Sequence, residues 1–166
     1  MINGINNTLG IENLSVDINS RKFAHDKTTL ECAKEIMVSL FESINKEIVN
    51  AKELLEAAQK LFKEWHPLLL NYITDEKDFG EMIWFLQEYC TDSKFESLFA
   101  HILVFWYNIG LITIQSIFDW EKESLEGKER KFLDKASAFL QKLREQDSEE
   151  DTEEDEGETE EDDSQE

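Results

Sequence analysis

Between Ile11 and Leu143 apolar residues return every three or four positions, and the chain's one proline, Pro67, is the single helix breaker of its kind in that stretch. A sheet protein of 166 residues needs frequent turns, and six glycines and one proline do not supply them. The spacing predicts an all-α domain in which each helix buries one apolar stripe against its neighbours. The length is sufficient for one such domain with its own core.

The pattern divides into seven to eight helices. The first reaches from Ile11 to about Ala24, with Ile11, Leu14 and Ile18 on one face. Thr28-x-x-Glu31 has the form of a capping box, in which the hydroxyl accepts an orphan backbone N–H and the carboxylate reaches back. It opens a second helix with Leu30, Ala33, Met37, Leu40, Phe41 and Ile44 inward. A third follows Asn50 (Leu54, Leu55, Ala58, Leu61, Phe62, Trp65) and is expected to end or kink at Pro67, with Leu68–Ile73 continuing. Further helices follow Asp75 and Asp92, a short one starts near Thr113, and the last runs from about Lys128 to Glu145. Joined by short links, they predict a stack of antiparallel helical hairpins. The expected divisions are a flexible N-terminus over 1–10, a helical domain over 11–146 and a disordered acidic tail over 147–166.

Charge is distributed unevenly. The formal net charge is −21, but 14 of the 38 acids lie in residues 147–166 without one base, which leaves residues 1–146 at −7. Such a chain repels nucleic acid and anionic membrane, so a basic protein partner is expected and direct nucleic-acid binding is not. The tail holds three Ser/Thr-Glu-Glu-Asp units, at Ser148, Thr152 and Thr159, of the kind an acidophilic kinase modifies. Residues 97–118 carry no charge and are long enough to span a bilayer. Polar residues are nevertheless spread through them (His101, Asn108, Thr113, Gln115, Ser116), and two core helices meeting at Asn108–Gly110 account for the run without a membrane. Cys32 and Cys90 read as small buried residues of a reduced, cytoplasmic protein, and the opening residues do not read as a signal peptide.

Covalent chemistry has no foothold here. There is no glycine-rich phosphate loop, no Cys or His pair at metal spacing, and no cofactor motif. His25, His66 and His101 sit on separate segments, His101 being expected as a core histidine. Acid pairs such as Glu31/Glu35 read as solvated faces. The inventory favours a binding module, or a regulator of another protein's active site.

Three blocks, taken in order, resemble one family. "VDINSRKFAHDKT" (16–28) is similar to the Leu-Glu-Ile/Leu-Asn-Ser-Leu-Lys/Arg segment of the C-terminal catalytic domain of the epsilon subunit of translation initiation factor 2B. "WYNIGLITIQSIFDW" (106–120) resembles that family's first aromatic/acidic box, with Trp106, Tyr107, Ile117 and Trp120 in place, and "AFLQKLREQDSEED" (138–151) resembles the second. "FKEWHPLLLNYI" (62–73) adds to the likeness, which covers residues 11 to about 155. The resemblance implies HEAT-like hairpins and guanine-nucleotide exchange on initiation factor 2. The domain would dock on the GTPase (gamma) subunit and bind the lysine-rich tail of the beta subunit, with other subunits of initiation factor 2B as further partners.

By that resemblance Asp17 takes the position most tied to exchange, framed by Val16, Ile18 and Asn19 and flanked by Arg21 and Lys22. A carboxylate pushed towards a nucleotide-binding loop competes with phosphate for its cations and N–H donors. Trp106, Tyr107, Asp119, Trp120, Glu121, Glu145, Asp147, Glu149 and Glu150 become the candidate partner contacts, although Trp106 and Trp120 also read as core. The sequence departs from the pattern in three places. Asp17 is one methylene shorter than the usual Glu, Arg21 replaces an apolar residue, and Gly110, Ile114 and Gln115 stand where the first box often has acids. Taken alone, Asp17, Asn19, Arg21 and Lys22 equally fit an ordinary polar helix face. The alternative function is a non-catalytic adaptor of the initiation factor 5 C-terminal type, which binds lysine-rich partners and lacks the Asp/Glu-Ile-Asn-Ser element.

Overall fold

The computed structural model describes residues 10–44, 46–127 and 130–153, with side chains of the last segment through Asp147. Among the described residues there are seven α-helices and no strand: α1 (Ile11–Ala24), α2 (Thr29–Ser43), α3 (Ala51–Leu70), α4 (Glu76–Cys90), α5 (Phe99–Asn108), α6 (Ile114–Glu126) and α7 (Arg130–Glu153), with a 3-10 turn at Glu96–Leu98 before α5. Consecutive helices α2–α3, α4–α5 and α6–α7 pack as hairpins, and each helix also packs on the one two places along the chain. The result is a two-layered, HEAT-like stack, with α2, α4 and α6 in one layer and α1, α3, α5 and α7 in the other.

Most helix starts fall where the sequence marks them. Glu31 N–H donates to Thr28 Oγ1 at 3.1 Å while Thr28 N–H donates to Glu31 Oε2 at 2.7 Å, which closes the capping box. Asn50 accepts from the amides of Lys52 and Glu53, and Asp75 from that of Asp78. Thr113 and Ser116 form a second reciprocal box at the head of α6. Each such cap satisfies amides that the helix itself leaves orphaned, typically worth about 1 kcal/mol.

Aromatic rings run through the core from one hairpin to the next. Phe41 of α2 meets Phe62 of α3 at 4.9 Å between centroids, and Phe62 meets Trp106 of α5 at 5.2 Å. Beyond them Phe99 of α5 touches Trp120 of α6 at 5.6 Å and Phe132 of α7 at 4.7 Å. The charge-free run 97–118 is α5, a turn, and the start of α6. Gly110 takes φ +73°, with Leu111 N–H donating to the Trp106 carbonyl and Gly110 N–H to that of Tyr107, the paired bonds of a Schellman closure. Leu98, Phe99, Ile102, Leu103, Trp106, Leu111, Ile112 and Ile117 of the run are buried, Phe105, Ile109, Ile114 and Phe118 are partly so, and no described helix is long and apolar enough to cross a membrane. Cys32 and Cys90 are buried with free thiols, and burial pushes that of Cys90 up to about 12.

Four expectations are corrected. Pro67 does not end α3, which passes through it and stops at Leu70, short of Ile73. The lost bond lies in the last turn, and Leu68 and Leu69 just beyond it are buried. Asp92 does not cap α5. It sits at φ +54° with its amide donating to Glu96 Oε2 at 3.2 Å, so the α-helix begins only at Phe99. His101 is exposed, not a core histidine, because it lies on the face of α5 turned away from Ile102, Leu103 and Trp106. Finally, α7 runs on to Glu153, past the boundary expected at residue 146, since propagation of a nucleated helix adds one bond per residue fixed. Residues 1–9 and 154–166, with Thr159 among them, lie outside the described residues.

Candidate functional site

Two exposed surfaces carry the candidate residues. The first is α1, which opens the stack and packs on α2 and α3. Leu14 and Ile18 are its buried anchors. The Tyr72 hydroxyl, just after α3, lies within hydrogen-bond distance of the Ser15 carbonyl and of Asn19 Oδ1, 3.2 Å from each. Burial raises the Tyr72 pKa, so the phenol stays protonated as a donor. Asn71 Nδ2 adds a 3.4 Å contact to Ser15 Oγ.

These contacts sort the residues around Asp17. Ile18 is 1% exposed and belongs to the core, so it cannot touch a partner; the expectation that it frames the site directly is corrected. Asn19 helps to position α1 through Tyr72. Val16 and Asp17 face solvent, and Asp17 Oδ2 lies 3.1 Å from Arg21 Nε, one turn on, in a pair that is more than half exposed at both ends. Such a pair opens at a cost below about 1 kcal/mol, so the carboxylate can exchange Arg21 for another cation. Lys22 is half-buried, with its ammonium 5.7 Å from the centre of the Phe23 ring.

The second surface is acidic and spans more of the fold than the two boxes. A cleft of about 550 Å³ lies between α4 and α6, with Glu76, Glu81, Asp119, Glu123 and Glu126 on its walls and Trp84 in its lining. Lys77 and Lys122 also line it. Trp84 Nε1 donates to Glu123 Oε2 at 2.9 Å, and Gln115 Nε2 to Asp119 Oδ1 at 2.9 Å, so both carboxylates are held in place. Thr113 Oγ1 donates to Glu76 Oε1. Past Trp84 the chain's own Lys34 lies 3.1 Å from Glu81 Oε2 and 5.4 Å from the centre of the Phe85 ring, a carboxylate and an aromatic face receiving one lysine.

The box residues do not form one patch. Asp119 faces the cleft, whereas Glu121 is nearly buried on another side of α6 and pairs with Arg144 of α7. Trp106 and Trp120 are at most 1% exposed, which corrects their place among the partner contacts: Trp106 packs on Phe62 in the core, and Trp120 lies beneath the cleft. The Trp120 indole donates to Gln87 Oε1 at 3.0 Å and so ties α6 to α4 under the cleft. The Tyr107 and Phe139 rings meet edge to face, 5.9 Å between centroids. Glu145 and Asp147 are exposed on α7, Glu145 accepting from Gln141 at 3.1 Å. The side chains of Ser148, Glu149, Glu150 and Thr152 lie outside the described residues. Sequence reasoning missed Phe23, whose place seven residues after Val16 puts it on the same helical face. It also missed Glu76, Glu81, Trp84, Glu123 and Glu126, which only the pairing of α4 with α6 brings together.

The family model described as W2, eIF4-gamma/eIF5/eIF2-epsilon, matches residues 78–153. The translation initiation factor eIF2B subunit epsilon of Dictyostelium discoideum is 31% identical over 157 residues, covering 89% of this chain and 22% of that protein. The eIF5-mimic protein 1 of Gallus gallus is 32% identical over 104 residues, covering 60% of this chain and 25% of the relative. The human eIF5-mimic protein 2 is 30% identical over 107 residues, 62% of this chain and 26% of the relative. The chain thus spans about a quarter or less of the length of these relatives.

Proposed function

We propose that the chain, similar to the W2 model of eIF4-gamma/eIF5/eIF2-epsilon over residues 78–153 and to an eIF2B epsilon subunit over 89% of its length, is a translation-initiation-factor domain of that kind and promotes guanine-nucleotide exchange on initiation factor 2. In this reading α1 docks on the GTPase (gamma) subunit, the acidic surfaces hold the lysine-rich tail of the beta subunit, and the work is done in the cytoplasm. The observation that carries it is Asp17, a solvent-facing carboxylate on a helix fixed from behind by Leu14, Ile18 and Tyr72. Similarity to an eIF2B epsilon subunit over 89% of the chain supports it, since that match extends well beyond residues 78–153.

No bond to the protein forms or breaks in this mechanism. Asp17 leaves Arg21 and approaches the nucleotide-binding loop, where it competes with phosphate for cations and N–H donors. Exchange follows from binding the nucleotide-free GTPase more tightly than the GDP-bound one, which shifts the population towards release. The α4–α6 cleft and the exposed acids of α7, Glu145 and Asp147, would take lysines as Glu81 and Phe85 take Lys34. Glu149 and Glu150 extend the same acidic run in sequence.

A second reading, a non-catalytic adaptor of the initiation factor 5 type, rests on a different observation. The W2 match covers most of the cleft and leaves α1 out, and the eIF5-mimic relatives align over only 60–62% of the chain. Release of a fluorescent GDP analogue from purified initiation factor 2, with and without the chain, separates the two. Exchange predicts faster release; lysine-peptide binding with unchanged release favours the adaptor.

A further inference from the structure

The acidic cleft lies between helices of one layer; the other layer holds a trough of about 350 Å³ lined by α3, α5 and α7. α5 packs on both neighbours and forms the floor with Val104 and Phe105, between Leu55 and Gln59 of α3 and Lys135 and Phe139 of α7. Ala100 on α5 and Ala138 on α7 keep it open, because neither has a side chain long enough to fill it. Leu55, Val104, Phe105 and Phe139 are left partly exposed. None of the residues lining the trough is acidic, although 38 of the chain's 166 residues are.

Its rim is basic instead. At about 100° per residue, Lys142 falls within roughly 20° of Lys135 on α7, and Lys52 and Lys63 fall within about 40° of Gln59 on α3. All of these lysines are exposed. Lys135 lies 3.2 Å from Glu96 and Lys52 lies 3.9 Å from Glu56, whereas Lys63 and Lys142 make no ion pair among the described residues. An apolar floor between two lysine edges calls for a segment that is apolar along one stripe and acidic on its flanks. The chain's own acidic end does not meet that demand, since residues 154–166 hold no large apolar side chain.

We propose that this trough docks an acidic, amphipathic helix of a partner protein. Its apolar side chains seat between Leu55 and Phe139, over Val104 and Phe105, while its carboxylates meet Lys63 and Lys142. Recognition of a helix in a groove is carried by anchors at i, i+3 or i+4, and i+7, which supply the affinity. The lysine edges select the charge of the partner and speed its arrival. The two layers then choose partners of opposite sign, lysine-rich at the α4–α6 cleft and acidic here. The trough serves the chain equally as exchange factor or as adaptor.

The test screens a displayed library of acidic helical peptides, with Leu, Ile, Phe or Trp varied at the anchor positions, against the full chain. Selected peptides are then titrated by fluorescence anisotropy against the parent, Lys63→Glu/Lys142→Glu and Lys77→Glu/Lys122→Glu. The first variant is expected to weaken binding about tenfold or more and to remove most of its salt dependence. The second makes the same charge change in the acidic cleft and should stay within about twofold of the parent. Melting temperatures should match the parent's, because all four positions are exposed. Serine at the anchor positions should weaken the peptide as much as the first variant does. The proposal is overturned if no selected peptide depends on Lys63 and Lys142, or if the serine peptide binds as tightly, since charge alone then suffices. Equal binding by a synthetic 154–166 peptide overturns it in favour of the chain's own acidic end. Self-association that disappears in Lys63→Glu/Lys142→Glu overturns it in favour of a second copy.

Discussion

The Tyr72 hydroxyl lies 3.2 Å from Asn19 Oδ1 and 3.2 Å from the Ser15 carbonyl, so one phenol at the end of α3 positions the polar face of α1. Asn19 thereby acts on the candidate site from behind. The face that reaches solvent is built from Val16, Asp17, Arg21 and Phe23.

Tyr72→Phe removes that hydroxyl and should cost about 1 kcal/mol of stability, the usual net worth of such a bond. The loss should be local. Hydrogen exchange is expected to accelerate in α1 first, and the maximal exchange rate on initiation factor 2 should fall, because Asp17 is then less firmly placed. Uniform loss of protection across all seven helices would argue that Tyr72 supports the core as a whole.

Two glycines give opposite signs for one substitution. Gly110→Ala forces a side chain into φ +73° at the closure of α5, although nothing lies within 4 Å of the new Cβ; the backbone alone should cost about 1–2 kcal/mol. Gly80→Ala lies inside α4, also in open space, and should stabilise by roughly 0.5–1 kcal/mol through helix propensity. Thermal melts of the two variants check both.

Glu96 gives a pH signature. Lys131, then the Asp92 amide, then Lys135 hold its carboxyl down at about 2, against an ordinary 4.5. A depressed folded pKa adds stability that is complete above the unfolded value and is lost as pH falls through the folded one. The melting temperature should therefore drop as pH goes from about 5 towards 2. Glu96→Gln should melt lower at neutral pH, show a shallower drop, and converge with the parent near the acid limit.

The acidic surfaces can be told apart by salt. Asp119→Asn with Glu123→Gln should weaken binding of a lysine-rich peptide and flatten its salt dependence, since exposed charges are screened within about 10 Å at 0.1 M salt. Removing residues 154–166 tests the acidic end separately and should leave the melting temperature close to the parent's. Peptide binding unchanged in the cleft variant and lost on truncation would move the lysine site to the chain's acidic end.

The fold is largely legible in the sequence because its signals are local. Thr28 and Glu31, Asn50, Asp75 and Thr113 each mark a helix start through a side chain that meets its own backbone. Sequence and structure part where tertiary packing decides. Pro67 lies inside α3 with Leu68 and Leu69 buried just beyond it, and Asp92 gives up its capping role to a contact with Glu96. The site is half legible. Asp17 can be found by resemblance to a contiguous motif, but nothing in linear order joins Glu76 and Glu81 to Glu123, and the exposure of Phe23 depends on which face of α1 the fold covers. The helical spacing of Ile11, Leu14 and Ile18 does predict that Ile18, between Asp17 and Asn19, points inward and leaves Val16 outside.

Whether Asp17 drives exchange is decided by release of fluorescent GDP from initiation factor 2 at saturating chain, with Asp17→Ala beside the parent. Loss of one well-placed charged contact, about 1.5–3 kcal/mol, should slow release ten- to a hundredfold. The exposed pair with Arg21 contributes little to folding, so stability should shift by no more than about 0.5 kcal/mol. Asp17→Glu, which restores the longer reach, should match or exceed the parent. Release by Asp17→Ala at the parent's rate would overturn the exchange reading: α1 would then be a solvated face, and the chain an adaptor.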